Sequence, residues 1–187
     1  MRQEIERILY DSIEVKKTIP LDLVQIACER IIHSYRNNGK LLICGNGGSA
    51  ADAQHMSGEF LNRFLMERDP LPAIALSTDT STITAIGNDY GFDQIFSKQV
   101  QAHGRANDIL IGITTSGNSQ NIINAAEVAR QKGMYVIGFL GKDGGKLKDY
   151  CDLPIIIPSN STPRIQECHE LVMHTICEIV ERELYKK

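Results

Sequence analysis

The sequence has no Cys-x-x-Cys pair, no cluster of Lys and Arg, no internal repeat and no low-complexity linker. Each absence removes a class of protein. The five cysteines, Cys28, Cys44, Cys151, Cys168 and Cys177, are odd in number and scattered. That excludes a thiolate zinc finger and reads as reduced thiols in a cytoplasmic protein. A formal net charge of −3 without a basic patch argues against a nucleic-acid partner. Charges recur every few residues through MRQEIERILYDSIEVKK, which leaves no room for a signal peptide or a membrane span. Nucleotide-binding motifs are missing as well. No G-x-x-x-x-G-K-[ST] occurs, and GKDGGK at 141–146 has the wrong spacing. No G-x-G-x-x-G stands in its required context. A sugar phosphate suits the remaining loops better than a nucleotide.

What is present is an ordinary globular composition, 42% hydrophobic and 23% charged, long enough for one well-packed domain over 1–187. The first 39 residues carry apolar positions at helical spacing in IERILYDSI and LVQIACERII, divided at Pro20 and ended by Asn37-Asn38-Gly39. Five short apolar runs then follow: LLIC (41–44), AIAL (73–76), ILIGI (109–113), YVIGFL (135–140) and PIIIP (154–158). None alternates with polar residues, as expected of parallel strands buried on both faces. Helical patterns separate them: AADAQHMSGEFLNRFLM, SKQVQAHG, NIINAAEVARQKG, a short one near KLKDY, and a long final helix from 164 to 185. The expectation is an α/β three-layer sandwich with a five-stranded parallel sheet behind a helical N-terminal segment.

Ligands of open parallel sheets bind beyond the carboxyl ends of the strands, so the loops leaving the strands are where chemistry is sought. Gly45-Asn46-Gly47-Gly48-Ser49 follows the first strand. Its glycines permit close backbone approach, the helix start behind it suits an anion, and Ser49 is placed as an N-cap. Thr114-Thr115-Ser116-Gly117-Asn118-Ser119 follows the third strand with more hydroxyls than one cap uses, and these could surround a phosphate without a lysine. On the helix after the first loop, His55 and Glu59 stand four apart on one face, and Arg63 continues that line. Their ordinary reading is a solvated Glu–Arg pair beside a surface histidine. On the last helix Gln166, Glu170 and His174 repeat at four-residue intervals, with His169 near that face. His174 reads by itself as a core histidine, but His55, Glu59 and His174 together make a two-histidine, one-carboxylate set for zinc.

GNGGSAADAQH…E, AIGNDYGF at 85–92, TTSGNS and RIQECHELVMH together resemble the sugar isomerase (SIS) family, in particular its phosphoheptose isomerases, along nearly the whole chain. The resemblance implies a flavodoxin-like SIS fold. It also implies isomerisation of D-sedoheptulose 7-phosphate to D-glycero-D-manno-heptose 7-phosphate, the first step towards ADP-heptose for lipopolysaccharide core or a related heptose product. It assigns one zinc per subunit to His55, Glu59, Gln166 and His174, with Glu59 and His174 as base and acid. Phosphate would lie against Thr114, Thr115, Ser116 and Ser119. Asn46, Gly47, Gly48, Ser49, Asn88, Asp89, Arg63 and Gln166 complete the substrate contacts. The implied assembly is a homotetramer with sites at subunit contacts, served by the helices of 1–39. Two departures stand out. Thr114 replaces a common Ser and keeps the hydroxyl, while Met56-Ser57-Gly58 replaces a bulkier run and costs roughly 1 kcal/mol at Gly58.

Aldose–ketose isomerisation needs a base, an acid for the oxygens and a positive group at the enediolate. Glu59, His174 and zinc would supply them, either with Glu59 leaving the metal or with its two oxygens dividing the tasks. Three other readings stay open. One is the SIS regulator that binds the bacterial replication initiator protein and does not keep the Glu59 and His174 equivalents. The others are a sugar-phosphate sensor and an isomerase of another phosphosugar.

Overall fold

The computed structural model describes residues 1–186. Helices α1 (Arg2–Lys16) and α2 (Leu21–Arg36) precede strand β1 (Leu41–Gly45). Then come α3 (Gly48–Leu61), β2 (Ala73–Ala75), α4 (Thr80–Tyr90), α5 (Ser97–His103), β3 (Ile109–Thr114), α6 (Gln120–Gln131), β4 (Tyr135–Gly141), β5 (Leu153–Ile157) and α7 (Thr162–Tyr185). The strands form one sheet in the order β2-β1-β3-β4-β5, and every pairing is parallel. This is the flavodoxin-like order, whose direction of progression reverses between β1 and β3.

Strand periodicity divides the core in two. Leu41, Ile43, Ile109, Ile111, Ile113, Ile137 and Phe139 face a layer made by α2, α3 and α7. The alternate residues Leu42, Cys44, Leu110, Val136 and Leu140 face α5, α6 and the inner residues Ile83 and Ile86 of α4. Side chains of one strand point alternately to opposite faces, so uninterrupted apolar runs are what a sheet covered on both sides requires. All five cysteines are free thiols. Burial pushes Cys28 up to about 11 and Cys151 up to about 12, so they stay un-ionised and unreactive near neutral pH. Among the described residues no helix is long and apolar enough to cross a membrane.

Two local expectations are corrected and one missed helix is added. The run FLNRFLM does not continue α3, which ends at Leu61. The backbone N–H groups of Phe64, Leu65 and Met66 instead donate to the Glu181 carboxylate at 2.7–2.9 Å. Ser49 is not the N-cap of α3; Gly47 is, at φ +55°, a conformation that favours glycine. The segment 80–90 is a helix that the sequence reading does not assign, capped by Asp79, which accepts from the Thr82 N–H.

His169 on α7 is buried at 1% exposure, and its Nε2–H donates to the Leu140 carbonyl at 3.1 Å, tying α7 to the end of β4. Burial holds its pKa near 4, outweighing the opposing effect of that hydrogen bond. The folded state therefore refuses a proton that the unfolded chain accepts below about 6.5. Stability is full above that value and should fall by roughly 3 kcal/mol from this residue as pH drops towards 4. Denaturant unfolding of the protein and of His169→Gln, which keeps a donor, checks this. The variant should show the shallower slope between pH 6.5 and 4, and equal slopes would refute the assignment.

Candidate active site

The loops after β1 and β3 leave the sheet where its order reverses, the place where α/β sheets open a crevice. A cavity of about 260 Å³ lies there, lined by Asn46, Ser49, Thr114, Thr115, Ser116, Ser119, Thr162 and Gln166 together with Ile113. The Thr114 hydroxyl stands 3.1 Å from that of Ser119 and 3.3 Å from that of Ser116. Ser119 begins α6 but makes no cap bond, its hydroxyl being turned towards Thr114. Helices α3 and α7 also start here without a side-chain cap. Three positive helix ends and their free N–H groups thus border one hydroxyl-lined space, a setting that favours an anion. A side chain at Gly48 would collide with the Gln166 amide, so the glycine lets α3 and α7 start side by side.

Asn46 is less free than the sequence suggests. Its carboxamide and that of Asn121 exchange two hydrogen bonds of 2.9 Å. Asn121, buried at 2% exposure, thereby locks the first loop to α6. Its position in the first turn of NIINAAEV was the only sequence signal for that task. Thr162, the first residue of α7, lines the cavity and was not marked by the motifs.

Roughly two to three turns along α3 and three along α7, a second cluster forms. His55 Nε2 lies 3.1 Å from Glu59 Oε1 and 3.4 Å from His174 Nε2. The two imidazoles meet edge to face at 79°, and Phe64 stacks on His174 at 5.5 Å. Phe64 reaches that position only because the chain leaves the helix after Leu61. Ligand atoms of His55, Glu170 and His174 all lie within 4.8 Å of one another. Asp52 sits nearby with a buried, unpartnered Oδ2. Its pKa is raised by burial and then by the charge of Glu170, with His55 acting in the opposite sense. Among the described residues no Lys or Arg lies within ion-pair distance of Asp52, Glu59 or Glu170; His55 is the partner of the last two. The residues fit a divalent metal. Two nitrogens about 2.0–2.1 Å from one tetrahedral ion stand roughly 3.3–3.4 Å apart, which is the observed Nε2–Nε2 spacing.

The packing of α3 on α7 thus unites His55, Glu59 and His174, while Gln166 lines the cavity about two turns earlier on α7. Arg63 does not join them, because it lies beyond the end of α3 and pairs with Glu67 at 3.6 Å. Asn88 and Asp89 are exposed at the end of α4 and bonded to each other, outside the cavity lining.

This sheet order with a hydroxyl-lined anion cavity at the reversal is the arrangement of a SIS domain, and the SIS domain family model matches residues 8–141. The phosphoheptose isomerase of Geobacter sp. (strain M21) is 53% identical, covering 100% of this chain and 99% of its own length. Solved phosphoheptose isomerases from Francisella tularensis and Neisseria gonorrhoeae superpose with TM-scores of 0.92 and 0.90. They are 43% and 44% identical and cover 96% of this chain, with 97% and 98% of their own chains matched. The chain belongs to the SIS domain family, among its phosphoheptose isomerases, and is an isomerase.

Proposed function

We propose that the enzyme interconverts D-sedoheptulose 7-phosphate and D-glycero-D-manno-heptose 7-phosphate through an enediol, at the entry to heptose synthesis for lipopolysaccharide core or a related product. The observation that carries this is the pairing of the anion cavity with the His55–Glu59–His174 cluster along the same two helices. From Gln166 to His174 is eight residues, about 12 Å. An extended chain advances about 1.2 Å per bond, so a heptose 7-phosphate spans roughly 10 Å from C1 to phosphorus. A pentose phosphate falls about 2.4 Å shorter.

In this reading Thr114, Thr115, Ser116, Ser119 and the uncapped helix ends hold the phosphate, with Ser49, Gly47 and Gly48 shaping the approach. His55, Glu59, Gln166 and His174 would hold one zinc ion. When bound, it would draw electron density from the C1 and C2 oxygens as a Lewis acid. Glu59 Oε1 faces His55 and the place the ion would occupy, while among the described residues its Oε2 accepts no hydrogen bond, so one oxygen would hold the metal and the other is free to act as base. Starting from the ketose, the C1 proton passes to Glu59 and its electron pair forms the C1–C2 double bond. The C2 carbonyl oxygen gains a proton from His174. Return of the carbon-bound proton from Glu59 to C2, with loss of the O1 proton to His174, leaves the C1 carbonyl of the aldose. Asn88, Asp89 and Arg63, remote from this chain's cavity, would contribute in an assembly. Exposed Ile5, Leu9 and Tyr10 of α1 and an apolar groove between α2 and α7 supply surfaces for a homotetramer.

The test is proton NMR of sedoheptulose 7-phosphate with the protein before chelation, after it, and after zinc readdition. Turnover should be lost on chelation and restored by zinc. Turnover indifferent to chelation would remove the metal, and no turnover with zinc-loaded protein would refute the substrate.

A further inference from the structure

We propose that Glu170 selects the tautomer of His55, accepting its Nδ1–H so that Nε2 is bare towards the metal. The proposal rests on the reading that a divalent ion sits between α3 and α7, and it adds a positioning residue to that reading. An imidazole that ligates through one nitrogen carries its proton on the other, and the partner of that proton sets the choice.

The distances show which nitrogen does which. Nε2 is the atom directed at the cluster, 3.1 Å from Glu59 Oε1 and 3.4 Å from His174 Nε2. Nδ1 is directed the other way, at Glu170 Oε1, 3.9 Å distant. Among the described residues no other carboxylate lies within ion-pair distance of Nδ1. Glu170 stands midway between Gln166 and His174, four residues from each, and so presents its carboxylate from the α7 face that the site uses. Its side chain is 51% exposed, free to turn about its own torsions and close the remaining gap to hydrogen-bond length.

His55 therefore lies between two carboxylates with one proton to give. Without a metal, Nε2–H donated to Glu59 satisfies the 3.1 Å contact. With a metal at Nε2 that proton must go, and the neutral ring then carries its hydrogen on Nδ1, where Glu170 receives it. Glu170 makes the second arrangement favourable. It also raises the electron donation of His55 to the metal. The ion then draws less on Glu59, which keeps more of the basicity its proton transfer needs.

The experiment uses the whole protein. Zinc affinity is measured by competition with a chelator, and the His55 tautomer is read from long-range ¹⁵N–¹H NMR, for the native protein, Glu170→Ala, Glu170→Gln and Asp52→Asn. Zinc should shift His55 from Nε2–H to Nδ1–H in the native protein. Glu170→Ala should weaken zinc binding by about 10- to 100-fold, and Glu170→Gln, whose amide oxygen still accepts, should recover most of it. Native affinity in Glu170→Ala would overturn the proposal. So would the same loss in Asp52→Asn alone, which would make the neighbouring buried carboxylate the acceptor. Failure of the native protein to bind zinc would instead remove the reading beneath the proposal, and is seen before any variant is compared.

Discussion

Glu59→Gln should reduce turnover of sedoheptulose 7-phosphate by roughly 10²- to 10⁴-fold, the range a positioned general base supplies. The change keeps the size of the side chain and an oxygen that can face His55, so the loss should fall on kcat. KM should change little, because the phosphate is gripped about two to three helical turns away by hydroxyls and helix ends that the substitution does not touch. Metal content must be measured beside the rate. A variant with native zinc and no turnover identifies the carboxylate as the base. A variant that loses zinc and rate together makes Glu59 foremost a ligand. Full turnover would end the assignment, since among the described residues no other carboxylate is in hydrogen-bond contact with this histidine pair.

The sequence displayed the strands well because parallel strands buried on both faces are written as short apolar runs, and all five runs became strands. It displayed His55, Glu59, Gln166 and His174 because four-residue spacing puts side chains on one helical face whatever the tertiary structure. It could not show that two such faces meet, which needs α3 and α7 to pack closely where Gly48 lies against Gln166. Helix α4 was illegible for a local reason. TSTITAIGNDY is rich in β-branched residues, which are indifferent helix formers, and none of its residues is fully buried. The one sign was Asp79 three residues before Thr82, a cap written in side chains rather than periodicity. The end of α3 was hidden for the opposite reason. FLNRFLM keeps helical spacing, but three of its N–H groups find a carboxylate donated from the far end of the chain.

That carboxylate carries the second large effect: Arg68→Ala or Glu181→Ala should destabilise the fold by about 3–5 kcal/mol, the cost of stranding one member of a buried ion pair. The Arg68 and Glu181 side chains are 1% and 2% exposed and meet at 3.0 Å. Arg68 also donates to the carbonyls of Glu59, Phe60, Asn62 and Asp69 at 2.8–3.1 Å. One guanidinium thus satisfies the carbonyls where α3 ends, and one carboxylate satisfies the N–H groups of the turn that follows. Burial by itself would raise the Glu181 pKa. The three N–H groups and Arg68 outweigh it and hold the carboxyl below its ordinary value. A carboxyl with a depressed folded pKa adds stability above its unfolded value near 4.5, and that stability is lost as pH falls through the folded value. Urea unfolding at pH 7 should therefore show Glu181→Gln less stable than the native protein, with the gap narrowing in acid as the native Glu181 takes up its proton. A gap that stayed constant down to the lowest pH would assign the loss to packing rather than charge. The same cluster fixes the backbone of Glu59 and swings Phe64 onto His174, so Glu181→Gln should also lower kcat while the phosphate cavity, and with it KM, stays intact. A fall in stability with native kcat would separate the fold's need for this ion pair from the site's.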